Sequence, residues 1–290
     1  MDTRLLKSFI VVAEEKHLGR AAVRLHITQP ALTRKIQVLE DHFGTRLFTR
    51  TNAGMHLTPA GEALIRRAEN ILSELEFAKA EALSAETNAP MRMDIGVYGS
   101  AIFNIIPDII DRFSASNPNV KLALHNTRKA QQIELLRQGK IMIAFDRFLP
   151  EERGLTRLTV CKETPHAVLH ASHPLARRPT LRRADLRDEP FIGAHEDVSD
   201  DDWKRMLGFV PTHGQMVDDV ITAIALVGRG LGVSLAPLSL ASLRIPDVVY
   251  KPLIDPPGFH FELQCLYREG ESSPLLQAML DTVRAYEVPA

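Results

Sequence analysis

Apolar residues in the first sixty positions recur at helical spacing and divide into three short helices. Leu5, Leu6, Phe9, Ile10, Val12 and Ala13 mark the inner face of the first, and Ala21, Ala22 and Leu25 that of a thin second. Leu32, Ile36 and Leu39 form a single stripe on the third. Thr28 stands before that stripe as an N-cap, and Pro30 occupies the first turn, where its missing N–H costs little. The opposite face offers Gln29, Thr33, Arg34 and Gln37. Next, Thr45 to Arg50 alternates as a strand does, Asn52-Ala53-Gly54 supplies a turn, and Met55-His56-Leu57 returns.

The period then lengthens. Thr58 caps, Pro59 fits a first helical position, and neither Pro nor a Gly beyond Gly61 interrupts the run before Pro90. Leu64, Ala68, Ile71, Leu75, Ala78 and Ala82 recur at spacings of four and three, an a/d seam on a helix ~45 Å long. So long a helix has little of its own chain to lie on, and the seam predicts pairing with a second copy. Burial of the seam within the same chain is the competing reading.

Past Glu86-Thr87-Asn88-Ala89-Pro90 the texture becomes α/β. Strands are predicted at 93–98, 120–125 and 141–145, with helices from Gly99 to Phe113 and from Ala130 to Gln138. Further strands are predicted at 165–170, 190–193, 230–237 and 261–267, and helices at 218–228 and from Ser273 to Tyr286. Alternation of this kind predicts a parallel sheet.

Charge refines the picture. The whole chain of 290 residues carries a net charge of −1, yet through Leu57 nine basic residues face five acids, an excess of about +4. Gln and Arg read base edges through paired hydrogen bonds, and Thr offers a methyl contact. The residues expected to meet DNA are Arg20, Thr28, Gln29, Pro30, Thr33, Arg34, Lys35, Gln37, Arg50 and Asn52. A merely solvated outer face is the alternative, most nearly balanced at Arg20.

No apolar run reaches the ~18 residues of a membrane span, no signal-peptide core follows Met1-Asp2-Thr3-Arg4, and a cytoplasmic, nucleoid-associated protein is expected. Cys161 and Cys265 match no metal or redox spacing. Neither a cofactor nor a metal is expected. No phosphate-binding loop, nucleophile elbow or metalloprotease motif occurs, which weighs against an α/β enzyme. The basic N-terminal unit weighs against a simple solute-binding protein.

The run Ala21-Ala22, Leu25, Thr28-Gln29-Pro30-Ala31-Leu32-Thr33, Ile36, Leu39-Glu40, Phe43-Gly44-Thr45-Arg46-Leu47-Phe48, Arg50 and Leu57-Thr58-Pro59-Ala60-Gly61 resembles the LysR-type transcriptional regulators. The resemblance implies a winged helix-turn-helix at 1–58, a linker and dimerisation helix with hinge at 59–89, and a regulatory domain at 90–290. That domain would be two α/β lobes like a periplasmic binding protein, lobe I about 90–161 and 269–290, lobe II about 162–268. Promoter DNA, RNA polymerase and a dimer assembling to a homotetramer are the implied partners. An effector closing the lobes would alter DNA bending; a repressor without a small-molecule effector is the alternative.

Gly96 to Ile102, Gln132 to Gly139, and Val217 to Val220 with Ala225 to Val233 are similar to regulators of chlorocatechol, catechol and other aromatic degradation. An anionic, muconate- or benzoate-like effector is therefore expected. The residues expected to hold it are Ser100, Thr127, Arg128, Lys129, Asp146, Arg147, Ser199, Trp203 and Val220. Ser100 reads equally well as a plain helix cap. Asp146 stands where relatives usually carry Gly and is expected to pair with Arg147, weakening its hold on an anion.

Overall fold

The computed structural model describes residues 2–51, 54–87, 90–103, 105–147, 149–194, 199–254 and 260–286. The N-terminal unit comprises α1 (Thr3–Glu15), α2 (Leu18–Arg24), α3 (Gln29–Phe43), β1 (Phe48–Thr51) and β2 (Gly54–Leu57), followed by α4 (Pro59–Thr87). Local signals start and stop these elements. Asp2 caps α1, His17 Nδ1 accepts from the N–H of Gly19 and Arg20 to start α2, and Thr28 Oγ1 accepts from Ala31 N at 3.4 Å to start α3. Gly44, at φ 65°, ends α3 in the left-handed conformation that glycine adopts without a Cβ penalty. Leu6, Phe9, Ala21, Leu32, Ile36 and Leu39 then form one core with Leu47, Phe48 and Met55.

The strand predicted from Thr45 begins only at Phe48. Glu40 Oε1 accepts from the N–H of Leu47 at 2.8 Å and of Phe48 at 3.1 Å, so the chain turns on a side chain before it pairs. Thr58 Oγ1 donates to Arg46 O and accepts from Gly61 N, which anchors the hairpin to the start of α4. A Cβ on Gly61 would stand 2.2 Å from the Leu47 carbonyl oxygen, so the crossing tolerates only glycine.

The a/d seam of α4 is split. Ala68 is wholly buried in the N-terminal core, with Leu64, Ile65 and Leu72 packed against that core, so the first half of the seam is used within the chain. The physical reason is that α4 leans on α1, which covers the Leu64–Ala68 face. Ile71 is 44% exposed, and Leu83, off the seam, is 58% exposed; Ala78 and Ala82 are exposed and Leu75 is half-buried.

The first lobe begins with β3 (Met91–Val97), α5 (Ile105–Ser116), β4 (Val120–Asn126), α6 (Lys129–Arg137), β5 (Ile143–Arg147) and β6 (Leu155–Glu163). The second holds β7 (Pro165–His170), β8 (Phe191–Ala194), α7 (Asp200–Leu207), β9 (His213–Val217), α8 (Val220–Val227), β10 (Ser234–Pro237) and β11 (Val248–Pro252). The chain returns through β12 (Phe261–Arg268) and ends in α9 (Pro274–Arg284). The helix expected from Gly99 opens instead as a 3₁₀ turn at Gly99–Ile102, because Gly99 has φ +56°, and α5 follows it. Likewise the strand expected from Gly230 shrinks to β10, since Gly230 and Gly232 both have positive φ.

Parallel pairing holds only in part. The order of the five-stranded sheet is β4-β3-β5-β12-β6: the first three are parallel, but β12 runs antiparallel to both β5 and β6. In the second lobe β10-β7-β11 are antiparallel, and β8-β9 form a parallel pair. β6, β9 and β11 were not predicted.

The crossings between lobes also move. The first falls between Glu163 and Pro165 and the second before Phe261, rather than near Cys161 and Arg268, because β12 pairs along its full length with strands of the first lobe. Cys161 and Cys265 lie inside this sheet; burial holds the thiol of Cys161 up at about 11 and that of Cys265 up at about 12, so both stay protonated and inert.

Arg268 fastens α4 to the first lobe. Its Nη1 donates to Leu136 O at 2.6 Å and its Nη2 to Ser73 Oγ at 2.8 Å, and Glu271 pairs with it in a buried contact. Glu69 faces the same joint, where burial pushes its carboxyl from 4.5 to about 7 against the opposing pull of Arg137 and Arg268. Its folded value lies above the unfolded one, so the fold binds this proton more tightly. The associated stability is present below 4.5 and is lost as pH rises through about 7. Thermal unfolding is therefore expected to rise in midpoint as pH falls from 8 toward 6, and Glu69→Gln to flatten that slope. An unchanged slope in the variant would remove Glu69 as its source.

Candidate DNA-reading face and interlobe cavity

Burial of Leu32, Ile36 and Leu39 fixes which way α3 faces. Gln29, Pro30, Arg34 and Gln37 emerge on the exposed side with half-buried Thr33, and these five line one open concavity. A second groove runs between α3 and the hairpin, lined by Thr33, Gln37, Arg46 and Arg50 among others. A helix presenting Gln and Arg beside a basic hairpin fits the width of a major groove with flanking phosphates.

Not every expected residue joins this face. Arg20 folds back on Glu15, to which Nε donates at 3.3 Å, and Arg24 pairs with both Glu14 and Glu15. Thr28 serves as the cap, Lys35 is half-buried near Asp2, and Asn52 lies outside the described residues. Sequence reasoning missed Arg46 and Glu40. Glu40 touches no outward face; it positions the hairpin. Glu40→Ala strands two half-buried N–H groups and is expected to cost about 1–3 kcal/mol, read as a lower unfolding midpoint. Wild-type stability in that variant would show that the hairpin is held from elsewhere.

The second site is a cavity of about 80 Å³ where the two lobes meet. Tyr98, Gly99, Ser100, Asp146 and Arg147 reach it from the ends of β3 and β5, and Phe261 from the start of β12. The second lobe contributes Gly193, Trp203, Met206, Asp219, Val220, Ala223, Ser234, Leu235 and Pro237. Ligands of open α/β sheets bind beyond the carboxyl ends of the strands, and this is such a place.

Ser100, Asp146, Arg147, Trp203 and Val220 thus come together as expected sites, whereas Thr127, Arg128, Lys129 and Ser199 do not line the cavity. Ser199 caps α7, exchanging hydrogen bonds with Asp202. Arg128 Nη2 donates to Asp218 Oδ2 at 2.9 Å, an exposed bridge from one lobe to the other. The expected Asp146–Arg147 side-chain pair is replaced. Successive residues of a strand point to opposite faces, so Asp146 Oδ1 accepts only the backbone N–H of Arg147, at 2.6 Å.

The Arg147 guanidinium pairs instead with Glu163 and donates to Ser100 Oγ at 3.1 Å and Phe261 O at 3.4 Å. Glu163 Oε1 in turn accepts from Ser239 N at 3.1 Å, tying the hinge to the second lobe. Glu163 ends β6, a strand the sequence did not reveal, and only a prediction of β6 could have drawn notice to it. Among the described residues no cluster of three metal-ligating side chains occurs, and no helix is long and apolar enough to cross a membrane.

Residues 3–62 match the family of bacterial regulatory helix-turn-helix proteins, lysR family, and residues 90–287 match the LysR substrate binding domain. The chain belongs to the LysR family. Among curated relatives, the HTH-type transcriptional regulator TfdS of Cupriavidus pinatubonensis is 34% identical, over 98% of both chains. The crystal structure of full-length CbnR complexed with its target DNA is 29% identical with a TM-score of 0.61, covering 98% of this chain and 99% of that one. The BenM effector binding domain, solved with its effector benzoate, is 26% identical with a TM-score of 0.60, over 67% of this chain and 90% of its own. This LysR-family protein is accordingly a DNA-binding transcriptional regulator with an N-terminal winged helix-turn-helix, a long linker helix and a two-lobed α/β regulatory domain.

Proposed function

We propose that this regulator reads a promoter duplex through Gln29, Thr33, Arg34 and Gln37, and answers to a small molecule held in the interlobe cavity. The carrying observation is that each lobe supplies walls to one enclosed space, with Trp203 and Val220 on one side and Ser100 and Arg147 on the other. A molecule seated there bears on both lobes and biases their closure. The benzoate bound to the related BenM domain supports an effector role for this domain. Two copies pair through the exposed distal part of α4, at Ile71, Leu75, Ala78 and Ala82, and pairs assemble to a tetramer in the cytoplasm. Closure alters the spacing of the reading heads, the bend in the promoter and the access of RNA polymerase.

The test is footprinting of the purified regulator on its own upstream intergenic DNA, with and without a panel of small acids and amines. A salt-sensitive footprint that one of them shifts supports both parts. Protection indifferent to the whole panel removes the effector half, and no specific protection removes the reading face.

A further inference from the structure

The charge balance of the cavity bears on the class of molecule it takes, an inference that rests on the cavity being the effector site. Three ionisable residues line it: Asp146, Arg147 and Asp219. Arg147 is committed to the protein. Its partner Glu163 is, like Arg147 itself, only 7% exposed at the side chain, and Ser100 and the Phe261 carbonyl accept its remaining donors. An entering carboxylate that took over this guanidinium would strand the buried Glu163, which is strongly unfavourable. The other device for holding an anion, the N-terminus of α8, is also filled. Asp219 Oδ1 accepts from Ile221 N at 2.8 Å and Thr222 N at 2.9 Å, and Oδ2 accepts from Thr222 Oγ1 at 2.7 Å.

Summed over the lining and the one buried counter-ion, the charges of Asp146, Asp219 and Glu163 exceed that of Arg147. Asp146 contributes most directly, being 5% exposed and placed where solvent screens least. The rest of the wall is apolar, with the Trp203 ring held edge-on against Phe191 at 5.0 Å. We propose that the cavity takes a small organic cation, a protonated primary amine with an apolar body, and disfavours carboxylates. The ammonium group brings three donors to a site rich in carboxylate acceptors, and the body lies against Trp203 and Val220. A space of about 80 Å³ restricts the occupant to a compact one.

Benzylamine and benzoate share a ring and nearly a size but differ in the sign of their charge, so titration calorimetry of the full chain with each separates charge from shape. Benzylamine is expected to bind at least about tenfold tighter than benzoate, and the isosteric Asp146→Asn to weaken benzylamine by about tenfold without weakening benzoate. Benzoate binding as tightly as benzylamine, no binding of either up to millimolar concentration, or an Asp146→Asn variant indifferent to the amine would each overturn the assignment. Val220→Trp, which fills the cavity, distinguishes the underlying reading. Loss of amine binding in it supports the site, whereas binding that survives the plug moves the site elsewhere and sinks the cavity reading itself.

Discussion

Arg34→Ala is expected to lower affinity for the specific operator by about 1–3 kcal/mol while affecting random duplex far less. Arg34 stands exposed on α3, in the same concavity as Gln29, Thr33 and Gln37, and its guanidinium suits the two acceptors of a guanine edge. Anisotropy titrations on operator and scrambled duplex at one salt concentration measure the two losses side by side. Arg50→Ala supplies the contrast. From the hairpin it meets phosphate, so its loss weakens both duplexes alike and makes the salt dependence shallower by about one charge. Equal losses on both duplexes for Arg34→Ala would refute base reading by this residue.

Arg268→Ala is expected to be among the most damaging single changes, at about 3–5 kcal/mol of stability. The Glu271 side chain beside it is 1% exposed and would become a buried charge with no counter-ion. The carbonyls of Leu136 and Ile141 lose a donor at the same time, and Ser73 loses the tie from α4 to the first lobe. Chemical denaturation of the full chain reads the loss. Removing both charges together, in Arg268→Met with Glu271→Leu, should restore much of the stability, because an apolar pair incurs no desolvation of ions. A double variant as unstable as the single would show that geometry rather than uncompensated charge makes Arg268 necessary.

The head was legible because its instructions are local. Thr28, Pro30 and the Leu32, Ile36, Leu39 stripe lie within a dozen residues of one another, and each start, stop and inner face follows from them. Leu64 and Ala68 look alike whether they meet a second copy or the Phe9 core, and α4's tilt onto α1 decided the matter. β11 went unread because its first four residues are all half-buried, leaving no alternation to detect. At the cavity, Ser100 and Arg147 were visible at the ends of predicted parallel strands. Glu163, Ser234, Pro237 and Phe261 were not, since antiparallel neighbours far apart in sequence bring them there. The effector's sign was misread for the same reason: Arg147 advertises an anion site until Glu163 is seen beside it.

Burial of Leu64 and Ala68 in the head core has a mechanical consequence. Head and proximal α4 turn as one rigid body, and Arg268 grips that helix at Ser73. At about 1.5 Å per residue, the 29 residues of α4 make a lever of roughly 43 Å. A tilt of about 5° at one end displaces the other by roughly 4 Å, close to the ~3.4 Å step between stacked base pairs. A rotation too small to disturb the packing of either lobe therefore suffices to shift a reading head by one rung of the duplex.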